Sequence, residues 1–202
     1  MSKKSWIYIG FFTLLVIGFY FVLTALIPDF NKKRIPPVSY VRPFAFTDQN
    51  GKIFTEKDIA GKVCVAEYFF TTCQGICPIM NANMKKVYER FKHEKDFLIL
   101  SHTSDPGTDS AVRLKKYADA LGVSSPPWIF LTGRKDSLYN MARVSYVIDD
   151  PANNLKSIDD QFIHSQNWAL VDKNGYVKGI YDGLKQNEIN ALIREIEKLL
   201  KE

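Results

Sequence analysis

The stretch "TTCQGICPIM", residues 71–80, puts two cysteines four positions apart, with a proline directly after the second. It follows an apolar run, "VCVAEYFF". Pro78 has the fixed φ favoured at the first position of a helix. Cys77 is therefore expected near a helix N-cap, with Cys73 in the loop just before it. Backbone N–H groups and the helix dipole aim positive charge at such a turn, which favours thiolate. Thiolate is what both metal binding and disulfide exchange require. Gln74, Gly75 and Ile76 leave a loop able to close a disulfide or to chelate one ion. Free cysteine is also among the most buried residue types, so core filler is the competing reading. A loop between a strand and a helix N-terminus is where function concentrates, and this favours a redox pair or a metal site. The third cysteine, Cys64, lies inside the strand beside Val63 and Val65 and is assigned to the core. Three cysteines are an odd count, which argues against a pure disulfide framework.

Three histidines could add a ligand. His93, in "FKHEKD", sits at a charged helix end and reads as a solvated cation that favours the helix C-terminus. His102 ends the run "FLILSHT", at the carboxyl end of a strand where sites in α/β sheets gather; it reads as a supporting neighbour of the site or as a structural residue. His164 lies in the polar stretch "DDQFIHSQNWALVD", just before a predicted strand, and is a weak signal by itself.

The elements that must position these residues follow from periodicity and turn chemistry. "FAFTDQNGKIFTEKDIAGK" predicts two short strands around Asn50-Gly51, a strong hairpin signal. "VCVAEYFF", "FLILSHT" and "WIFLTG" are buried strands. Residues 78–93 predict a helix with Met80, Met84, Val87 and Phe91 on one face. "DSAVRLKKYADALGV" predicts an amphipathic helix stopped at Gly122, and "RKDSLYNMARV" a short one. "NWALVDKNGYVKGIYDG" predicts a hairpin turning at Asn174-Gly175, followed by a terminal amphipathic helix. Strands alternating with helices predict an α/β domain with helices covering a central sheet, made mixed by the terminal hairpin.

The chain divides by composition. Ser5–Ile27 holds no charged residue in 23 positions, about 35 Å of helix at ~1.5 Å per residue. It is longer than the apolar core of a cleaved signal peptide, and residues 1–28 are read as an uncleaved membrane anchor, with a long signal peptide as the alternative. Residues 29–42, punctuated by Pro36 and Pro37, are read as a stiff polar tether, and residues 43–202 as one domain. Of the net charge of +5, +4 sits in residues 1–34. The near-neutral remainder has no basic block, which excludes a nucleic-acid partner.

A strand, a thiol turn and a helix beginning with proline resemble the thioredoxin-like fold. With "YFFTTCQGICPIM", "SHTSDPGTDS", "WIFLTG" and "FIHSQNWALVDKNGYVKGIYDG" in this order, the chain is similar to the Sco/SenC family over roughly residues 40–200. These are membrane-anchored copper-binding proteins of cytochrome c oxidase assembly. The resemblance implies copper, Cu(I) or Cu(II), held by Cys73, Cys77 and His164. Two thiolates and an imidazole are a soft set suited to Cu(I). His164 is 87 residues beyond Cys77 and must arrive on another loop. There, thioredoxin-like proteins normally carry a cis-proline beside the thiols; this chain has none and has His164. Many relatives place an acidic residue before that histidine, where this chain has Ile163. The loop "SHTSDPGTDS" ends in Ser110 where relatives have threonine.

The resemblance further implies delivery of copper to the copper-bearing subunit of cytochrome c oxidase. An upstream copper donor or thiol reductant is a possible second partner. The copper centre of the oxidase lies on the outer face of the inner membrane, so a single-pass anchor with Lys3 and Lys4 in the cytoplasm and the domain on the periplasmic side is expected. The alternative is a thiol–disulfide oxidoreductase that keeps the cysteines of the oxidase or of a copper donor reduced, with Cys73 and Cys77 as its redox pair. A peroxidase is permitted by the fold. Zinc is permitted by the ligands, although no general base is evident nearby.

Overall fold

The structure, a computed structural model, describes residues 2–26, 36–149, 157–158 and 161–202. It comprises two compact units, Met1–Ile35 and Pro36–Glu202. The first holds α1, Lys3–Leu26, with no buried residue. Among the described residues α1 is the one helix long and apolar enough to cross a membrane. The expected tether falls outside the described residues as far as position 35. Its last part belongs to the second unit, because Ser39–Tyr40 form a strand, β1, paired with the C-terminal hairpin.

The second unit is built on one eight-stranded mixed sheet flanked by helices, the expected thioredoxin-like arrangement. Its further strands are β2 Ala45–Asp48, β3 Ile53–Thr55, β4 Val63–Phe69, β5 Phe97–Thr103, β6 Trp128–Thr132, β7 Asn167–Val171 and β8 Tyr176–Asp182. Their spatial order is β1-β8-β7-β4-β5-β6-β2-β3. β4, β5 and β6 run parallel, and the remaining pairs are antiparallel. Both predicted hairpins form. Gly51 and Gly175 take φ of 77° and 82°, the left-handed region that the Asn-Gly signal anticipates. Each turn uses the same device: Asp48 Oδ1 accepts the N–H groups of Asn50 and Lys52, and Asp172 Oδ1 those of Asn174 and Tyr176.

The helices are α2 Cys77–Phe91, α3 Ala111–Leu121, α4 Lys135–Asn140 and α5 Gln186–Lys201. The predicted short helix is longer than a single α segment, since α4 continues into a π-helical turn, Met141–Tyr146. α3 is capped by the Ser110 hydroxyl and ends at Gly122, whose φ is 66°. The sheet separates two cores. On one face Val63, Val65, Phe69, Ile99 and Phe130 meet Met80, Met84, Val87 and Phe91 of α2, with Leu114 of α3 and Ile189, Leu192 and Ile196 of α5. On the other, Ala66, Tyr68, Leu100 and Leu131 meet Leu138, Tyr139 and Tyr146.

Cys64 lies in this second core with no exposed surface. Burial pushes its thiol up to about 12 against a small opposing effect of Lys62, so it is inert packing, as expected. Strand alternation also decides His102. Glu67 and Ser101 point to the α2 face, so His102 points to the other. There its ring stacks on Tyr68 at 5.1 Å and shares a 3.1 Å hydrogen bond with the Tyr146 hydroxyl. Burial lowers it to about 3, keeping it neutral. His102 is structural and takes no part in the cysteine site.

Candidate metal centre

β4 delivers the chain to the cysteine turn at the carboxyl end of the sheet. The turn closes when Cys73 N–H donates to Phe70 O at 3.2 Å. Cys77 is the first residue of α2, with Pro78 behind it, and Ile76 at the N-cap offers no side-chain cap. The N–H groups of the first turn are therefore free to face the thiols. Both cysteines are free thiols; Cys73 is half-buried and Cys77 buried.

Their environments drive them apart. Burial raises the Cys73 thiol, but a hydrogen bond from the Cys77 thiol and the N–H groups of Cys77, Gly75 and Ile76 outweigh it, so Cys73 is lowered. Cys77 is pushed up to about 12, first by burial, then by donating to Cys73, with the charges of Cys73 and Glu67 adding to the rise. The lowering expected of the turn thus falls on Cys73 alone. A half-buried thiol that ionises more readily, beside a buried thiol held protonated, is the arrangement in which one sulfur attacks and the other resolves.

A buried carboxylate tethers the turn. Asp109 accepts the Thr71 N–H at 3.1 Å, the Thr71 hydroxyl, and the Thr103 hydroxyl at 2.6 Å. Arg113 donates to the Thr71 hydroxyl at 2.6 Å and lies 3.6 Å from Asp109. The start of the thiol loop, the end of β5 and the start of α3 are thereby joined.

His164 is exposed. Its ring meets Phe70 edge-on at 5.5 Å and Phe162 at 4.7 Å, and the two phenylalanines meet at 4.9 Å. The thiol turn and the histidine loop therefore converge on Phe70, whose carbonyl holds Cys73 and whose ring holds His164. Among the described residues no three His, Cys, Asp or Glu side chains stand close enough together to share one metal ion. The structure brings Cys73 and Cys77 into one hydrogen-bonded pair and sets His164 against the turn's aromatic wall. His93 is exposed beyond the end of α2.

Glu67 was missed by sequence reasoning, although a lone glutamate inside "VCVAEYFF" is a visible signal. It is fully buried on the α2 face. Its Oε1 accepts the Ser101 hydroxyl at 2.6 Å, and the Trp128 indole N–H donates to that hydroxyl at 2.8 Å. Oε2 has no hydrogen bond of normal geometry, nor does the Trp168 indole N–H. Burial pushes the Glu67 carboxyl up to about 7, against the Ser101 hydroxyl and the nearby Trp168 indole, which favour the charged form. Its folded value lies above the unfolded 4.5. Between those values the folded chain binds more protons, so stability falls as pH rises through the window and levels off above it. Glu67→Gln should remove this slope. Its stability relative to the wild type should rise by about 2–3 kcal/mol from pH 4 to pH 8, read from denaturant midpoints. A pH-independent difference would show that Glu67 titrates in the fold as it does in the unfolded chain.

The SCO1/SenC family model matches residues 32–201. This chain belongs to the SCO1/SenC family. It is 32% identical over 166 residues to the SCO1 protein homolog of Bacillus subtilis, covering 80% of this chain and 83% of that one. It is similar to the solved structure of BsSco, a member of the Sco family of cytochrome c oxidase assembly proteins in which a disulfide switch has been identified. Identity there is 31%, with a TM-score of 0.68 and coverage of 83% of this chain and 98% of BsSco. The crystal structure of yeast Sco1 with copper bound is 26% identical, with a TM-score of 0.58 and coverage of 83% and 95%. The fold and family expected from the sequence are thus established, and the family includes copper-bound members.

Proposed function

We infer that this Sco-family chain is a membrane-anchored copper carrier. It takes up copper at Cys73, Cys77 and His164 and passes it by ligand exchange to the copper-bearing subunit of cytochrome c oxidase during assembly. The observation that carries this reading is the convergence of the thiol pair and His164 on Phe70. The donor chemistry supports it: two sulfurs and one imidazole are soft ligands that fit Cu(I), and the imidazole also suits Cu(II). Copper bound to yeast Sco1 and the oxidase-assembly role of BsSco's family support the cargo and the partner. Each thiol that becomes a ligand gives up its proton. Cys73 is set to do so first, and Cys77 follows against its burial.

α1 anchors the chain by a single pass, with residues 1–28 as the anchor, the domain on the periplasmic side of the inner membrane, and Lys3 and Lys4 in the cytoplasm. A copper donor or a thiol reductant acts upstream. The asymmetry of the two thiols supports a second role, as a thiol–disulfide oxidoreductase toward the same target, and this role needs no third ligand.

One experiment tests carrier and anchor together. Membranes bearing the full-length chain are washed at alkaline pH and then solubilised in detergent without oxygen. The chain should remain in the washed membranes and, after Cu(I) loading, retain about one copper per chain through buffer exchange, as expected of a single three-ligand site. Cys73→Ala should retain none. Recovery of the chain in the alkaline wash would overturn the anchor, and equal copper in Cys73→Ala would overturn the site.

A further inference from the structure

The loop carrying His164 is held by hydrogen bonds as well as by the phenylalanines. Ile163 N–H donates to the Tyr139 hydroxyl at 3.3 Å. That hydroxyl in turn donates to Ser104 O at 2.8 Å, with a longer contact to Gln161 O at 3.3 Å. Ser104 N–H, at the other end of the same residue, donates to Phe69 O at 2.7 Å. A chain of three hydrogen bonds therefore runs from the residue before His164, through Tyr139 and Ser104, to the residue before Phe70. It is buried: Tyr139 has no exposed surface, Ser104 1% and Ile163 2%. Tyr139 is itself fixed from outside, with the Arg143 guanidinium 5.5 Å from its ring centre and paired to Asp149 at 2.7 Å.

From this geometry we propose that Tyr139 is a positioning residue for His164: its hydroxyl sets where the imidazole stands relative to the thiol turn. The inference rests on His164 being a copper ligand. The physical reason is that a ligand on an exposed loop must otherwise be ordered at the moment of binding, and prior ordering lowers that cost. Ile163 explains why an apolar residue is suited to the position before the histidine. Its side chain is buried in the same core as Tyr139, so both side chain and N–H fasten the loop. The hydrogen bonds of Tyr139 go to Ser104, Gln161 and Ile163 and not to the cysteines, whose own contacts lie at the start of α2 and at Phe70 O.

The test compares Tyr139→Phe, His164→Ala and the double variant in the full-length, detergent-solubilised, reduced protein. Tyr88→Phe is the control, because its hydroxyl pins a different loop by bonding Ser124. Two quantities are read: Cu(I) affinity by competition with a chromophoric chelator, and the thiol–disulfide equilibrium constant against glutathione. Tyr139→Phe should weaken Cu(I) by about tenfold, the scale seen when a partner of a metal ligand is removed, and leave the thiol–disulfide constant within about twofold of the wild type. In the His164→Ala background the same change should alter affinity by less than about twofold, since the residue it positions is gone. Tyr88→Phe should leave affinity unchanged. Wild-type affinity in Tyr139→Phe beside a defective His164→Ala would overturn the positioning role alone. So would an equal loss in both backgrounds, or the same loss in Tyr88→Phe. Wild-type affinity in His164→Ala would overturn the ligand assignment and the positioning role with it. A measurement without mutation stands behind these: the Ile163 amide of the wild type should exchange more than about tenfold slower than in an unstructured peptide, and exchange at the peptide rate would overturn the proposal.

Discussion

His164→Ala should leave a folded chain that still closes a Cys73–Cys77 disulfide but binds Cu(I) more than about 100-fold more weakly. Removal of a mere partner of a metal ligand costs roughly 10–100-fold, and losing the ligand itself must cost more. The disulfide should survive because nothing that builds the thiol pair passes through His164. Cys73 is held by Phe70 O and lowered by Cys77 and the N–H groups of residues 75–77, and the loop is tethered by Asp109. Cu(II) binding should suffer further, since that ion favours imidazole more than Cu(I) does. In cells grown on limiting copper, oxidase activity at matched protein level should fall almost as far as in Cys73→Ala or Cys77→Ala. Added copper should restore part of it by mass action. If both cysteine variants fail while His164→Ala keeps full activity in that medium, the carrier reading gives way to the thiol reductase.

Gly183→Ala should destabilise the domain by about 3 kcal/mol, at the upper end of the cost of overpacking. A methyl group there would stand 2.4 Å from Trp168 Cε2, 2.6 Å from Cζ2 and 2.7 Å from Nε1. Trp168 has no exposed surface, and its indole lies beside the Glu67 carboxyl. Gly183 is also held on both sides of its peptide, by its N–H to Gln166 O at 2.8 Å and by Asn83 donating to its O at 2.9 Å. For a domain of this size the melting temperature should drop by roughly 6–12 °C. Gly75→Ala is the control, because a methyl there meets nothing within 4 Å. A loss below about 1 kcal/mol in Gly183→Ala, within the range of ordinary substitutions, would show that Trp168 can move.

These two results bear on different layers of one arrangement. The copper reading depends on residues brought by two loops onto Phe70. Beneath them in the same core lie large buried side chains, Trp168, Trp128 and Phe69. Glu67 sits beside Trp168 at a cost to stability above pH 7 and raises the buried Cys77 thiol.

Local patterns along the chain specified the separate pieces. Short continuous apolar runs marked β4, β5 and β6, and the three-to-four spacing of Met80, Met84, Val87 and Phe91 marked the buried face of α2. Asn-Gly marked both hairpins, and Gly122 marked the end of α3. The strand–thiol–proline order placed Cys73 and Cys77 at a helix start, and the resemblance of the whole series supplied His164. All of these signals lie within a turn or two of the residue concerned, or in residue identity itself. The remaining properties arise only from packing between distant segments. Cys73 and Cys77 look alike in sequence and differ because one is buried above Glu67 and the other receives the N–H groups. His102 adjoins the site in sequence and is turned away by strand alternation. Gly175 is required by its own φ and was legible; Gly183 is required by Trp168, 15 residues earlier on the neighbouring strand, and was not. Tyr139 carries no motif, and its hydroxyl acquires meaning only because the ends of β4 and β5 and the His164 loop meet beside it. Burial and hydrogen bonding between residues distant in the chain set these properties, and no local pattern encodes them.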